Sequence, residues 1–251
     1  MIRKSLARAG KSTVEKMLFW GRRTFVERNL NPSHHSVLIS WATYSPWLQD
    51  PVFQQAYAEI RNHTLVDRFR CYELWHLLSQ TQHLPGDVLE VGTWRGGTGC
   101  LMARRATELG FEARVHLCDT FEGVVKTGVT DSHYRGGEHA DTSDYLVRQL
   151  ANAMNLKNII IHKGIFPEDI GPGLMHFTFR FCHIDVDVYQ SGKDTLDWIW
   201  PRLPVGGIVV FDDFGFASCP GITRLVHEEE QKPDRVCVQN LNGHAVLIKV
   251  G

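Results

Sequence analysis

The sequence predicts a doubly wound α/β fold: a mainly parallel sheet with helices on both faces, an antiparallel C-terminal hairpin, and a helical extension in front. Three observations carry that prediction. From residue 64 onward, short apolar runs alternate with longer amphipathic segments, the pattern of repeated βαβ units. The first apolar run, VLEVG, leads directly into the glycine-rich turn EVGTWRGGTG. The last two runs, VCVQNL and HAVLIKV, flank Asn242-Gly243, a tight-turn signal that joins antiparallel strands.

Taken in order, the first thirty residues carry Arg3, Lys4, Arg8, Lys11, Lys16, Arg22, Arg23 and Arg28 against Glu15 and Glu27. Val14, Met17, Leu18 and Phe25 fall at roughly helical spacing, so this segment is a basic amphipathic helix. It packs on its own domain or a neighbour, or it lies on an anionic surface. NPSHHS and SWATYSPWLQDP read as a connector before a helix near residues 51–62. We expect residues 1–62 to form the extension and residues 63–251 the main α/β domain. Within the latter, 64–80 is an amphipathic helix with Leu65, Phe69, Tyr72, Leu74, Trp75 and Leu78 at its apolar positions. Residues 98–109 form a helix closed by Gly110, and 113–119 a second strand. Further helices are predicted at 142–154, 191–200 and 222–230, and further strands at 158–163, 180–185 and 207–212.

Composition excludes several classes. The chain has 251 residues, with 27 Lys and Arg against 28 Asp and Glu, which argues against a general nucleic-acid binder. Its six cysteines show no CxxC spacing and read as reduced core residues of a cytosolic protein. No apolar run approaches a membrane span, and the N-terminus lacks a secretory h-region.

Acids fall on the strands that should carry the chemistry: Glu90 in the first, Asp119 closing the second, Asp185 the fourth and Asp212 the fifth. Open α/β sheets bind ligands beyond the carboxyl ends of their strands. The glycine loop has the spacing G-x-x-x-G-G rather than the G-x-G-x-x-G of dinucleotide enzymes. Glu90 beside it disfavours a pyrophosphate and suits a cationic ligand such as S-adenosylmethionine, whose ribose hydroxyls Asp119 can accept.

The segments TLVDRFRCYELW, EVGTWRGGTG, DTFEG, HIDVDVY and GGIVVFDDFG together resemble the macrocin O-methyltransferase family of magnesium-dependent sugar methyltransferases of natural-product pathways. The resemblance covers roughly residues 40–250 and implies a class I methyltransferase-like fold. It implies cofactor contacts from Thr64 and Leu65, from Glu90, Val91, Gly92, Thr93 and Trp94, and from Asp119, Thr120, Phe121, Glu122 and Gly123. Ser143, Gly164 and Ile165 complete that set. It also implies a glycosylated small-molecule acceptor; from the cysteine usage we expect a cytoplasmic enzyme.

If strands four and five are neighbours, about 4.8 Å apart, Asp185, Asp212 and Asp213 converge. Bare carboxylates there repel and their pKa values rise. A divalent cation removes the conflict, and an oxygen-only donor set favours magnesium. Such an ion lowers the pKa of an acceptor hydroxyl, and Asp187, just beyond the strand, is the candidate general base, with Asp185 able to share that role. His183 reads as an interior histidine. Residues 124–142, with His133, His139 and a Gly-Gly pair, are either an active-site lid or surface loop. Trp41, Tyr44 and Trp47 line an acceptor pocket or a subunit contact, and we expect a homo-oligomer. Two other functions use related sequence features: a nicotinamide-dependent oxidoreductase and a cephalosporin-hydroxylase-like component.

Overall fold

The computed structural model describes residues 2–26, 30–31, 33–38, 40 and 42–251, the side chains of 2–9 and 26 excepted; Trp41 lies outside the described residues. The chain divides into two compact units, residues 1–45 and 46–251. In the first, helix α1 (Ile2–Gly21) runs into a π-type turn at Arg22–Val26. The second contains everything else, beginning with α2 (Pro51–Ile60), whose Asp50 caps it by accepting from the Phe53 amide. Phe53, Ala56 and Ile60 are buried in the main core, so this unit starts ahead of residue 63.

Helix α3 spans Arg68–Gln80, four residues shorter at its start than the spacing predicts. The reason is Asp67, whose side chain accepts from the Phe69 and Arg70 amides and so sets the N-terminus. Thr64 and Leu65 are thereby left in the approach to the helix, and Leu65 and Phe69 are exposed while Cys71, Leu74, Trp75 and Leu78 are buried.

Seven strands follow: β1 (Asp87–Val91), β2 (Val115–Asp119), β3 (Ile159–Lys163), β4 (Phe179–Ile184), β5 (Ile208–Phe211), β6 (Arg235–Asn240) and β7 (His244–Lys249). They form one sheet in the order β3-β2-β1-β4-β5-β7-β6. β1 to β5 pair in parallel, and β7 runs antiparallel to both β5 and β6. Helices α3, α4 (Gly97–Glu108) and α5 (Asp144–Ala153) pack with α2 on one face. α6 (Gly171–Leu174), α7 (Tyr189–Ile199) and α8 (Pro220–Glu229) cover the other. Both faces are therefore apolar, which is why β5 reads as a continuous hydrophobic run and β1 and β4 are mostly apolar. The predicted doubly wound sheet and its hairpin are present, and Gly110 follows α4 with φ 67°. The short α6 carries no periodic signal in the sequence and was not expected.

The order of strands reverses between β1 and β4, the switch point at which such sheets open a crevice. Register then fixes what lines it. Val91 pairs with Ile184, and Ile184 with Phe211, so Gly92, Asp185 and Asp212 all sit one residue past their strands.

Candidate active site

A cavity of about 290 Å³ occupies that crevice. Its lining includes Thr64, Leu65, Val91, Gly92, Thr93, Trp94, Asp119, Thr120, Gly123 and Gly164 on one side, and Asp185, Asp187, Asp212 and Asp213 on the other. The backbone brings the two sides together at Gly92, whose φ is 88°. A Cβ at that position would lie 1.6 Å from the Asp185 carbonyl oxygen, so the close approach of the β1 and β4 ends requires glycine.

Four non-glycine residues at this rim, Trp94, Phe121, Asp187 and Asp213, hold φ between 46° and 64°. Each lies just beyond the end of β1, β2, β4 or β5. Left-handed backbone costs about 1 kcal/mol or more per residue, and its concentration here aims side chains that an extended strand would direct elsewhere.

Asp119 closes β2 and holds the glycine loop in place. One carboxylate oxygen accepts from the Trp94 amide at 2.7 Å and the other from the Phe121 amide at 2.6 Å. Burial pushes its pKa up while these backbone donors pull it down, and the balance is a rise.

Among the residues expected to contact a cofactor, Glu90, Phe121, Glu122, Ser143 and Ile165 are not part of the cavity lining. Ser143 caps α5 by accepting from the Leu146 amide. Glu90 is fully buried inside β1 and meets His183 Nδ1 at 3.0 Å, which places it beneath the cavity floor and off the rim where its position in the strand suggested it. His183 is interior, as expected.

The acidic half is tighter than sequence could specify. Asp185, Asp212 and Asp213 each offer a carboxylate oxygen, all within 4.8 Å of one another. Asp213 Oδ2 is buried with no hydrogen-bond partner. Burial, reinforced by the neighbouring carboxylates, pushes Asp185 and Asp213 well above the ordinary carboxyl range. Asp212 behaves oppositely, which corrects the expectation that all three rise. Burial raises it too, but a hydrogen bond from His244 and the charges of His244 and Arg70 hold it at about 2.

Arg70 and His244 were missed by the sequence reading. Arg70 Nη1 donates to Asp212 Oδ2 at 2.5 Å, and His244 Nε2 lies 2.7 Å from Asp212 Oδ1. Glu73 Oε2 holds His244 Nδ1 at 2.7 Å and also accepts from Asn242, while Glu73 Oε1 accepts from Asn240. The available signal was Arg70 itself: an arginine beside Cys71 and Leu74 on the apolar face of α3 must have a buried anionic partner.

Tyr134 was also missed as an individual residue. Its hydroxyl donates to Asp187 Oδ1 at 2.5 Å, so segment 124–142 forms a wall of the cavity through Val124, Val125, Tyr134 and His139. The segment is anchored by buried Asp131, which accepts from the Gly128 and Tyr189 amides. Asp141 anchors it further by bonding Trp94 Nε1 and Arg95. Neither Tyr44 nor Trp47 lines the cavity; Trp47 packs edge-on against Phe69 and Tyr72.

The family model described as Macrocin-O-methyltransferase (TylF) matches residues 57–238. The chain belongs to that family. Curated members similar to it include the 8-demethyl-8-(2,3-dimethoxy-alpha-L-rhamnosyl)-tetracenomycin-C 4'-O-methyltransferase of Streptomyces olivaceus, 30% identical over 62% of this chain and 64% of the relative. The demethyldecarbamoylnovobiocin O-methyltransferase of Streptomyces niveus is 30% identical over 61% of each chain. The alignments thus span less than two thirds of either relative's length. Among solved structures, the O-methyltransferase NovP superposes with a TM-score of 0.67 at 24% identity, covering 75% of this chain and 83% of that one. The calicheamicin methyltransferase CalS11 gives 0.62 at 19% identity, covering 82% and 94%. These likenesses establish the Macrocin-O-methyltransferase family and its class I fold.

Proposed function

We propose that the chain is a magnesium-dependent O-methyltransferase that moves a methyl group from S-adenosylmethionine to a hydroxyl of a glycosylated small molecule. The observation that carries this reading is the set of three convergent carboxylate oxygens on Asp185, Asp212 and Asp213, opposite the glycine loop and Asp119 in one cavity. The donor set fits a divalent ion. It is oxygen-only, one of its oxygens is buried without a partner, and two of its carboxyls are under electrostatic strain that a double positive charge relieves. The rhamnosyl group in the name of the Streptomyces olivaceus relative supports the acceptor class, and both curated relatives are named O-methyltransferases.

Asp185, Asp212 and Asp213 would hold the magnesium ion, which would supply Lewis acidity toward an acceptor hydroxyl. The cavity side formed by Thr64, Gly92, Trp94, Asp119 and Gly164 would hold S-adenosylmethionine, which would supply the electrophilic methyl and leave as S-adenosylhomocysteine. Asp187 takes the hydroxyl proton. Burial pushes its pKa up even though the Tyr134 hydroxyl pulls it down, which makes it a stronger base than a surface aspartate. Tyr134 fixes the orientation of that carboxylate by occupying one of its oxygens. Arg70 and His244 grip both oxygens of Asp212 and fix its direction.

Asp187→Asn should lower kcat about 10²- to 10⁴-fold, the range for loss of a general base, with S-adenosylmethionine binding retained. Single-turnover rates and calorimetric titration of the cofactor check this; an unchanged rate removes Asp187 from the role. His244→Gln should weaken magnesium binding about 10- to 100-fold, as loss of a ligand's outer partner does, read by titrating magnesium without cofactor. The reading as a whole is tested by dialysis equilibrium with S-adenosylmethionine against NAD, followed by product analysis on a panel of glycosylated acceptors with and without chelator. Retention of NAD alone, or methylation that survives exhaustive chelation, contradicts it.

A further inference from the structure

The proposed chemistry assigns no role to the basic N-terminal segment, whose charge is out of proportion to the rest of the chain. Eight Lys and Arg against two Glu in the first thirty residues give +6, while the whole chain carries −1, leaving −7 for residues 31–251. The segment folds as α1 and the π-type turn after it. Val14, Met17 and Leu18 share one helix face by their i, i+3, i+4 spacing, and all are exposed. Two aromatic residues extend this apolar surface at the C-terminal end: Trp20 and Phe25 meet edge to face at 5.9 Å. Met17 is 66% exposed, Trp20 62% and Phe25 78%.

We propose that α1 and the Arg22–Val26 turn form a docking surface for an anionic lipid bilayer, holding the cavity-bearing unit at a membrane surface. Charge complementarity selects this occupant. Lys11, Lys16, Arg22 and Arg23 stand against Glu15 in the described part of the segment, where Lys11 and Glu15 are paired at 3.7 Å. Cations beside exposed Met, Trp and Phe form the composition of a helix that lies in the headgroup region, with its apolar side shallowly inserted and its basic side among lipid phosphates. A nucleic acid would satisfy the cations and leave Met17, Trp20 and Phe25 in water. The same segment of a second copy would set +6 against +6. No described helix is long and apolar enough to cross a membrane, so the segment lies on the bilayer. This inference does not depend on the reading of the cavity.

The test is co-sedimentation of the full chain with vesicles of phosphatidylglycerol and phosphatidylethanolamine, compared with phosphatidylcholine alone, at 0.1 M and 0.5 M NaCl. The expected result is binding to the anionic vesicles at low salt, about tenfold or more weaker on phosphatidylcholine and at high salt. The double variants Trp20→Glu/Phe25→Glu and Arg22→Glu/Arg23→Glu should each lose about tenfold or more, with the circular dichroism of the wild type. Three results overturn the proposal: no binding to anionic vesicles at 0.1 M NaCl, equal binding by both folded variants, or a concentration-dependent oligomer that the Trp20→Glu/Phe25→Glu variant loses while vesicle binding is absent.

Discussion

Asp213→Asn is expected to cut kcat about 10²- to 10³-fold, equivalent to roughly 3–4 kcal/mol of lost transition-state stabilisation, while making the metal-free protein more thermostable at neutral pH. The substitution is clean because Asp213 holds φ 64°, a conformation asparagine also tolerates. The opposite signs follow from electrostatics. Burial and the adjacent carboxylates raise the pKa of Asp213 and Asp185 in the folded state, so folding takes up protons there. Their contribution to stability is full below the unfolded value of about 4 and is lost as pH rises from there through the raised folded values. Asp212 works the other way. Its folded pKa of about 2 means that its contribution is lost only as pH falls from about 4 through 2, and it is intact at neutrality. The metal-free wild type should therefore lose thermal stability between mildly acidic and neutral pH, and magnesium should restore it. In Asp213→Asn, the midpoint at pH 7 without metal should rise by a few degrees and the magnesium increment should largely vanish. Scanning calorimetry at pH 5 and pH 7, with magnesium or chelator, reads both. A variant less stable than the wild type at pH 7, with an unchanged magnesium increment, contradicts the reading.

Gly92→Ala should abolish the folded state or destabilise it by about 4 kcal/mol or more. The new Cβ would fall 1.6 Å from the Asp185 carbonyl oxygen and 2.6 Å from its carbon, and these backbone atoms cannot rotate away. The φ of 88° adds backbone strain to the clash. Relief requires the ends of β1 and β4 to part, which breaks the bond from the Asp185 amide to the Val91 carbonyl at 2.9 Å and opens the floor between the two halves of the cavity. Gly110→Ala is the matched control: its Cβ would meet nothing within 4 Å, although its φ is also positive at 67°. Urea unfolding of both variants separates clash from backbone strain, and a Gly92→Ala protein no less stable than the control would remove the close approach from the account.

Much of this was legible in sequence because it is local. Strand β1, its glycine turn and the capping residue Gly110 are written in contiguous residues. So are Asp185 and Asp212, each one residue past an apolar run, and strand pairing alone then makes them neighbours. What could not be read depends on partners far apart in the chain. Arg70 and Asp212 are separated by 142 residues, and Glu73 reaches His244 across 171; no periodicity encodes either contact. For that reason, the depressed pKa of Asp212 was invisible, and three adjacent carboxylates seemed equivalent. Tyr134 lies in a segment with no helix or strand, where pattern carries no positional information. Glu90 shows the converse limit: an acid inside an apolar strand looked like part of the rim, but its one-residue offset from the strand end buries it against His183.

The most direct test is a crystal of the protein grown with S-adenosylhomocysteine and manganese, with anomalous scattering locating the ion. The result expected is one manganese peak bonded to oxygens of Asp185, Asp212 and Asp213, with the nucleoside lying along the glycine loop beside Asp119. A structure whose nucleoside is bound but whose acidic residues carry no ion at saturating manganese, or whose ion binds elsewhere, contradicts the claim.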